Sequence, residues 1–160
     1  GTGSGCIAVS LAKFSESCEV SGWDIDQKIL DIAINNAKKN KVKVFFEIQD
    51  IKSISSNKKF DIIVSNPPYI TLKEKKLIKK NVLLFEPHKS LFVYEKNPLF
   101  FYQKIIQFAK KSLNKNGLLF FEINEQMKDD LFKLLNKEGF YDIECKKDFR
   151  SKDRLVKAYF

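Results

Sequence analysis

The chain has 160 residues, 44% of them hydrophobic and 15 of them Phe, which is enough for one domain with a sizeable core. Its apolar runs are far shorter than the ~20 residues that span a membrane, and a Gly-rich loop stands where a secretory signal would begin. Three Cys without CxxC spacing indicate reduced thiols in a cytoplasmic protein, so we expect neither a disulfide framework nor a metal site.

The net charge of +9 is concentrated in one part of the sequence. Residues 71–115 contain 11 Lys and 3 acidic residues, whereas residues 1–70 carry +1 and residues 116–160 carry no net charge. A positive surface of this kind suits an acidic protein or a nucleic acid. A lysine-rich solvated face is the alternative, and composition leaves both open.

A Gly-rich loop, Gly1-Thr2-Gly3-Ser4-Gly5, opens the sequence and runs into a predicted helix over residues 6–14. Such a loop presents backbone N–H groups and the positive end of a helix dipole to a ligand. It is not a phosphate-binding P-loop, because the Lys-Ser/Thr pair after the last glycine is missing. The GxGxG spacing alone is a weak signal, since Gly-rich turns also occur for packing reasons.

Two acidic residues follow the next two predicted strands. Asp24 ends a strand over residues 19–23, in a position that suits bidentate binding of ribose hydroxyls. Asp26 is the better N-cap for a helix that runs to about residue 39, which leaves Asp24 free. After a strand over residues 42–48, Asp50 and Ile51 could hold an adenine, although an Asp in this position is often a turn residue.

A third predicted strand, residues 60–65, leads into Asn66-Pro67-Pro68-Tyr69. The two prolines forbid both a continued strand and an immediate helix, so the chain leaves the sheet as a rigid extended turn. Ligands of open α/β sheets bind at this edge. An amide, backbone carbonyls and an aromatic ring suit a planar substrate that carries an NH2 group.

The rest of the sequence alternates helices and strands, which predicts a mainly parallel sheet. A Lys-rich amphipathic stretch covers residues 73–84, and a helix over 98–113 is stopped by Asn116-Gly117. Its aromatic cluster, Phe100-Phe101-Tyr102, is assigned to the core. The remaining predictions are a strand over 118–123, a helix over 127–137 that ends near Gly139, and two strands, 141–146 and 155–160, that pair antiparallel.

With these elements the chain closely resembles the peptide chain release factor glutamine N5-methyltransferases (HemK/PrmC), a family of class I S-adenosylmethionine-dependent methyltransferases. The resemblance runs over essentially the whole chain. It is carried by GTGSGCIAVSLA at the start, WDID at 23–26, IVSNPPYI at 63–70, FEPHKSLF at 85–92 and KDFRSKDRLVKAYF at 147–160. NPPY alone is shared with DNA and RNA amino-methyltransferases, whereas the FEP and terminal D…R blocks are more specific.

The resemblance implies a Rossmann-like α/β fold, S-adenosylmethionine as cofactor and the glutamine of a Gly-Gly-Gln motif in a release factor as substrate. The loop from Gly1 to Gly5, Asp24, Asp50 and Ile51 would bind the cofactor, which Asn66 would also contact. The catalytic turn would be Asn66, Pro67, Pro68 and Tyr69. Asn66 and the Pro67 carbonyl would accept hydrogen bonds from the substrate NH2, and Tyr69 would pack on the substrate.

Three alternatives stay open. The same acceptors serve the exocyclic amine of adenine in DNA or RNA, and a ribosomal protein glutamine is a near variant of the release factor substrate. A non-catalytic subunit that binds a partner is the third, although a scaffold does not need an intact NPPY turn. We expect no catalytic base at His88, since the proton can leave after methylation.

The resemblance also implies that parts of the family's pattern are missing. Residues 93–97 replace its usual Gly-rich stretch. The strand before the Gly-rich loop and an N-terminal helical domain would lie outside residues 1–160, which we read as an N-terminally truncated methyltransferase domain, expected to be monomeric. Without that strand its two neighbours would stand ~10 Å apart with unpaired backbone. We therefore expect residues 1–160 alone to be unstable or inactive.

Overall fold

The computed structural model describes residues 1–15, 17–54, 56–71, 92–93 and 97–160. Contacts divide the chain into two compact units, Gly1–Ile54 and Ser55–Phe160, and each is described by itself. Within the described ranges, helices that combine the length and apolar character needed to cross a bilayer are absent.

The first unit is a β-α-β arrangement preceded by a helix. It consists of α1 (Cys6–Phe14), β1 (Ser21–Asp24), α2 (Gln27–Asn40) and β2 (Phe45–Ile48). The two strands pair in parallel, with Asp24 opposite Ile48, so both strands end at the same edge. This edge carries the residues that the sequence assigns to cofactor binding, except Asn66, which belongs to the second unit.

Helix α2 shows why the chain turns at this edge. The Asp26 side chain accepts a hydrogen bond from the Lys28 N–H at 2.9 Å, as expected of an N-cap. The buried face of α2 is formed by Leu30, Ala33 and Ala37 at helical spacing. The predicted cap and helix are therefore confirmed, and Asp24 is left to other contacts.

The second unit contains a four-stranded mixed sheet in the order β3-β6-β8-β7. Strand β3 pairs in parallel with β6, whereas β8 is antiparallel to both β6 and β7. This confirms the antiparallel C-terminal strand. In chain order the elements are β3 (Phe60–Ser65), β4 (Ile70–Thr71), β5 (Phe92–Val93), α3 (Phe100–Ser112), β6 (Leu113–Glu122), a 3₁₀ turn (Glu125–Met127), α4 (Lys128–Lys137), β7 (Tyr141–Lys147) and β8 (Asp153–Tyr159).

The core of the second unit lies between this sheet and its helices. Helix α3 buries Tyr102, Ile106 and Ala109, and β6 buries Leu119 and Phe121, all at 0–1% exposure. Tyr102 of the aromatic cluster is thus a core residue, as predicted, while its two neighbours are half-buried.

The predicted end of helix α3, near Leu113, is correct to within one residue, but the predicted start of the following strand, at Leu118, is wrong. The helix ends at Ser112, and β6 begins at once, because Leu113 is buried and pairs with Phe60 of β3. The Asn116-Gly117 pair instead lies in an irregularity of β6, where Asn116 has a φ of 62°. A tertiary contact therefore ends this helix before its local stop signal is reached.

Several other predictions differ only in their bounds or fall outside the described residues. Strands β1 and β2 begin two to three residues later than expected, where their mutual pairing begins. The amphipathic stretch 73–84 and His88 lie outside the described residues.

Two strands are paired along one edge only. Among the described residues, β1 pairs with β2 alone and β3 pairs with β6 alone. Each of these two strands therefore has a second edge at which another strand could pair.

Candidate functional site

The Gly-rich loop is built from backbone conformations that favour glycine. Gly3 and Gly5 have φ values of 57° and 78°, in the left-handed region. A Cβ on Gly5 would lie 2.9 Å from the Ala33 Cβ, so α2 leaves no room for a side chain there. A Cβ on Gly3 would meet nothing within 4 Å, which shows that the space over the loop is open.

Asp24 fixes the loop to the end of β1. Its carboxylate is buried, and Oδ2 accepts from the Gly3 N–H at 2.9 Å. The other oxygen, Oδ1, accepts from the N–H groups of Ile25 at 2.8 Å and Asp26 at 3.3 Å. A carboxylate has about four acceptor positions. Three are used within the chain, two on Oδ1 and one on Oδ2, so one position on Oδ2 is left, which is fewer than the bidentate binding expected from the sequence needs.

Asp50 and Ile51 lie just beyond the end of β2, at the edge where Asp24 ends β1. Asp50 is half-buried, and its Oδ1 accepts from the Lys52 N–H at 2.9 Å. The turn role that the sequence left open is therefore present, and it occupies only one of the two carboxylate oxygens. The first unit thus brings together at one edge the Gly-rich loop, Asp24, Asp50 and Ile51.

Gly22 is a residue of this edge that was not singled out from the sequence. A Cβ at this position would lie 2.9 Å from the Thr2 Oγ1 and 2.8 Å from the Phe46 ring. The loop therefore packs directly on the backbone of β1. A glycine inside a strand is the available signal, since it marks a close approach by another group.

The Asn66-Pro67-Pro68-Tyr69 turn belongs to the second unit. It follows the last residue of β3, and β4 begins directly after Tyr69. The Asn66 side chain is exposed, Pro67 is buried, and Pro68 and Tyr69 are half-buried. The turn is thus anchored by one proline ring while the amide of Asn66 faces solvent.

The turn therefore offers hydrogen-bond acceptors at a strand end. The Asn66 amide oxygen and backbone carbonyls are acceptors, and neither proline contributes an N–H that would compete with a donor from a ligand. Among the described residues, groups of three or more potential metal ligands are absent.

The first unit also has a groove at the opposite edge from the predicted cofactor residues. It has a volume of about 610 Å³ and is lined by side chains that include Lys13, Lys41, Lys43 and Phe45. It contains none of the residues that the sequence singles out.

Comparison with known proteins gives a consistent result. A family model described as Methyltransferase small domain matches residues 1–92. The release factor glutamine methyltransferase of Flavobacterium psychrophilum is 45% identical over 161 residues, which cover 100% of this chain and 56% of that protein. The protein of the same description from Bacteroides thetaiotaomicron is 40% identical over 160 residues, 99% of this chain and 58% of that protein. The chain thus spans little more than half the length of these curated relatives.

Solved structures identify the fold. A methyltransferase from Pyrococcus furiosus superposes with a TM-score of 0.73 at 18% identity, covering 99% of this chain and 71% of that one. A ribosomal protein L11 methylase from Lactobacillus delbrueckii subsp. bulgaricus gives 0.67 at 20% identity, with 99% and 65% covered. The fold is therefore that of class I methyltransferases. Because the family model matches more than half of the residues, the chain belongs to the methyltransferase small domain family.

Proposed function

We propose that the protein to which this chain belongs transfers a methyl group from S-adenosylmethionine to the side-chain nitrogen of a glutamine in a peptide chain release factor. The observation that carries the proposal is the exposed Asn66 amide on a rigid double-proline turn at the end of β3. The relatives at 45% and 40% identity, both named release factor glutamine methyltransferase, supply the substrate class. The proposal includes the cytoplasmic location and monomeric state expected from the sequence.

The residues at the edge of the first unit fit the cofactor. The open space over Gly3 admits a ligand against the backbone, and Asp24 retains an acceptor position for a ribose hydroxyl. Asp50 can accept from an adenine amine and Ile51 can pack on its ring. When bound, S-adenosylmethionine supplies an electrophilic methyl group on a sulfonium.

The turn in the second unit fits the substrate. A glutamine amide nitrogen is a poor nucleophile, because its lone pair is delocalised into the carbonyl. Two acceptors, the Asn66 amide oxygen and the Pro67 carbonyl, would take its two N–H groups and direct the remaining lone pair away from them. Orientation of this kind can supply up to ~7–11 kcal/mol of the barrier in well-organised sites. The nitrogen loses its proton after the N–C bond has formed, so a strong base is not required.

The test supplies the full-length protein with methyl-labelled S-adenosylmethionine and one of three acceptors. These are the release factor, the same factor with its Gly-Gly-Gln glutamine changed to Ala, and nucleic acid. We expect label on the first acceptor only. Label on DNA or RNA would replace the proposal by adenine methylation, and a lack of label on every acceptor would favour a non-catalytic subunit.

A variant pair tests the role of the turn. Asn66→Ala is expected to lower kcat at least ~100-fold, the size of effect seen when one preorganised hydrogen-bonding group is removed. Cofactor affinity should be largely spared. Asn114→Ala is the matched control, since Asn114 is an Asn on the same sheet whose side chain bonds only to Asp61 in the described contacts. Retained turnover in Asn66→Ala would show that the acceptor role is misassigned.

A further inference from the structure

We infer that Tyr102 is a positioning residue for the Asn66-Pro67-Pro68-Tyr69 turn, because its hydroxyl replaces the hydrogen-bond donor that Pro67 lacks. The inference rests on the proposed function for its catalytic consequence. Its structural basis lies wholly within the second unit.

The strand register shows where a donor is missing. Ser65 of β3 lies opposite Phe121 of β6, so continuing the ladder by one residue sets Asn66 opposite Glu122. In a parallel ladder, a carbonyl accepts from the N–H of the residue that follows its opposite number. For the Glu122 carbonyl that residue is Pro67, which has no N–H.

The Glu122 carbonyl does face β3. The neighbouring Ile123 N–H donates to the Arg154 carbonyl of β8 at 2.9 Å, so the peptide groups of Ile123 point toward β8. Because successive residues of a strand direct their peptide groups to opposite sides, those of Glu122 point toward β3. The Glu122 carbonyl is part-buried, and an acceptor withdrawn from water is destabilising when it lacks a donor.

Tyr102 supplies the donor. Its hydroxyl donates to the Glu122 carbonyl at 3.0 Å, and its side chain is 0% exposed. The ring packs edge-on against Phe121, with the centroids 5.1 Å apart. Burial, followed by the proximity of Tyr69, raises the pKa of Tyr102 well above its ordinary value, so the hydroxyl stays protonated and remains a donor.

The next carbonyl along the chain, that of Ile123 just after β6, is held from the other side. Arg154 donates from Nη1 to the Ile123 carbonyl at 2.9 Å, and its Nε lies 3.4 Å from the Asp148 Oδ2. Asp148 is itself held by the N–H groups of Arg150 and Lys152, at 2.8 and 3.1 Å. The terminal D…R block of the sequence thus fixes the end of β6 that Tyr102 contacts.

The consequence for catalysis follows from this placement. Substrate acceptors must be held to within a fraction of an ångström, since a 1 Å misplacement can cost ~100-fold in rate. Two prolines make the turn rigid but remove the ladder bond that would tie it to β6. The Tyr102 hydroxyl satisfies the carbonyl that this ladder bond would have used, and it ties α3 to β6 beside the turn.

Tyr102→Phe, which removes only the hydroxyl, tests the inference in the full-length protein. We expect the Tm to fall by about 2–12 °C, the range for one unsatisfied carbonyl withdrawn from water in a domain of about 150–250 residues. We expect kcat for release factor methylation to fall about tenfold or more, with the cofactor Kd within twofold of its starting value. Tyr141→Phe is the control, since the Tyr141 hydroxyl bonds to the Asn116 side chain at an exposed position.

A double variant with Pro67→Ala makes the assignment specific. The Pro67→Ala substitution restores a backbone N–H that can donate to Glu122, so in that background Tyr102→Phe should lower the Tm by less than half as much. The donor role would be overturned if the Tm losses of Tyr102→Phe and Pro67→Ala were additive in the double variant. It would also be overturned if Tyr102→Phe had the same Tm as Tyr141→Phe. A coupled Tm with unchanged kcat would reduce Tyr102 to a structural residue. Should the starting protein not methylate a release factor, the proposed function fails while the Tm cycle still decides the Tyr102 assignment.

Discussion

Asp24→Asn tests whether the buried carboxylate at the end of β1 holds the Gly-rich loop in the conformation that would bind the cofactor. The Asp24 carboxylate accepts three N–H groups, two on Oδ1 and that of Gly3 on Oδ2. An Asn side chain has one acceptor oxygen and one NH2 group. Its best arrangement keeps the two Oδ1 bonds and turns NH2 toward the Gly3 N–H, so the bond to the Gly-rich loop is lost.

The lost bond sets the expected magnitude. A hydrogen bond to a charged group contributes about 1.5–3 kcal/mol. If the loop binds the cofactor only in its fixed conformation, the affinity for S-adenosylhomocysteine should fall by about tenfold to about a hundredfold. Isothermal titration of the full-length protein measures this change directly.

Asp26→Asn is the matched control, two residues away. Asp26 caps α2 through one hydrogen bond from Lys28, and Asn serves as an N-cap about equally well. Its cofactor Kd should stay close to that of the unaltered protein. Equal Kd values for Asp24→Asn and Asp26→Asn would refute the reasoning. A 2′-deoxy cofactor analogue separates the ribose contact, since it should lose less affinity in Asp24→Asn than in the unaltered protein.

Two further predictions concern stability. Gly3→Ala and Gly5→Ala each introduce the strain of a positive φ, about 1–2 kcal/mol. Only the new methyl group of Gly5→Ala would also collide with the Ala33 side chain, so chemical denaturation should show that Gly5→Ala lowers the free energy of unfolding more than Gly3→Ala does. Equal losses of stability would contradict the packing assigned to Gly5. The hydrogen bond from Lys128 lowers the pKa of Asp153, so the pair stabilises the fold above the ordinary carboxyl pKa of about 3.9 and loses that contribution as the pH falls below it. The stability difference between the unaltered protein and Asp153→Asn should therefore be constant from pH 7 to pH 5 and shrink toward pH 3, and a difference that is the same at pH 3 and pH 7 would contradict this.

The sequence correctly predicted the helices and strands whose ends are set by residues close to them in the chain. Helix α1 and strand β3 have the predicted bounds, and the α2 cap is where an Asp before an amphipathic run places it. The start of β6 was predicted too late, at Leu118, because the pairing of Leu113 with a residue more than fifty positions away outweighs the Asn-Gly signal. The strands of the first unit begin where β1 and β2 start to pair with each other, and the hydrophobic periodicity of the sequence does not show that point.

The candidate site likewise has features that the sequence predicted and features that only the structure shows. Which residues stand at strand ends could be read from the sequence, since carboxyl ends of parallel strands share an edge. What those residues touch could not. Periodicity assigned Tyr102 to the core, and only the register of β3 against β6 shows why the position needs a hydroxyl. The contact between Asp24 and Gly3 likewise joins residues that the sequence presented as separate ligand groups.

These contacts suggest that the strand ends of this chain serve two purposes at once. Asp24 fixes the Gly-rich loop with three of its acceptor positions and keeps one for the proposed ribose contact, while Pro67 makes the proposed substrate turn rigid and leaves a carbonyl for Tyr102 to satisfy. Ligand affinity and local stability should consequently change together at both positions when a whole side chain is removed. Substitutions that delete a single atom or charge, such as Tyr102→Phe and Asp24→Asn, separate the two effects, because each leaves the packing volume nearly unchanged. Truncation of either side chain to Ala would confuse a positioning role with loss of the fold.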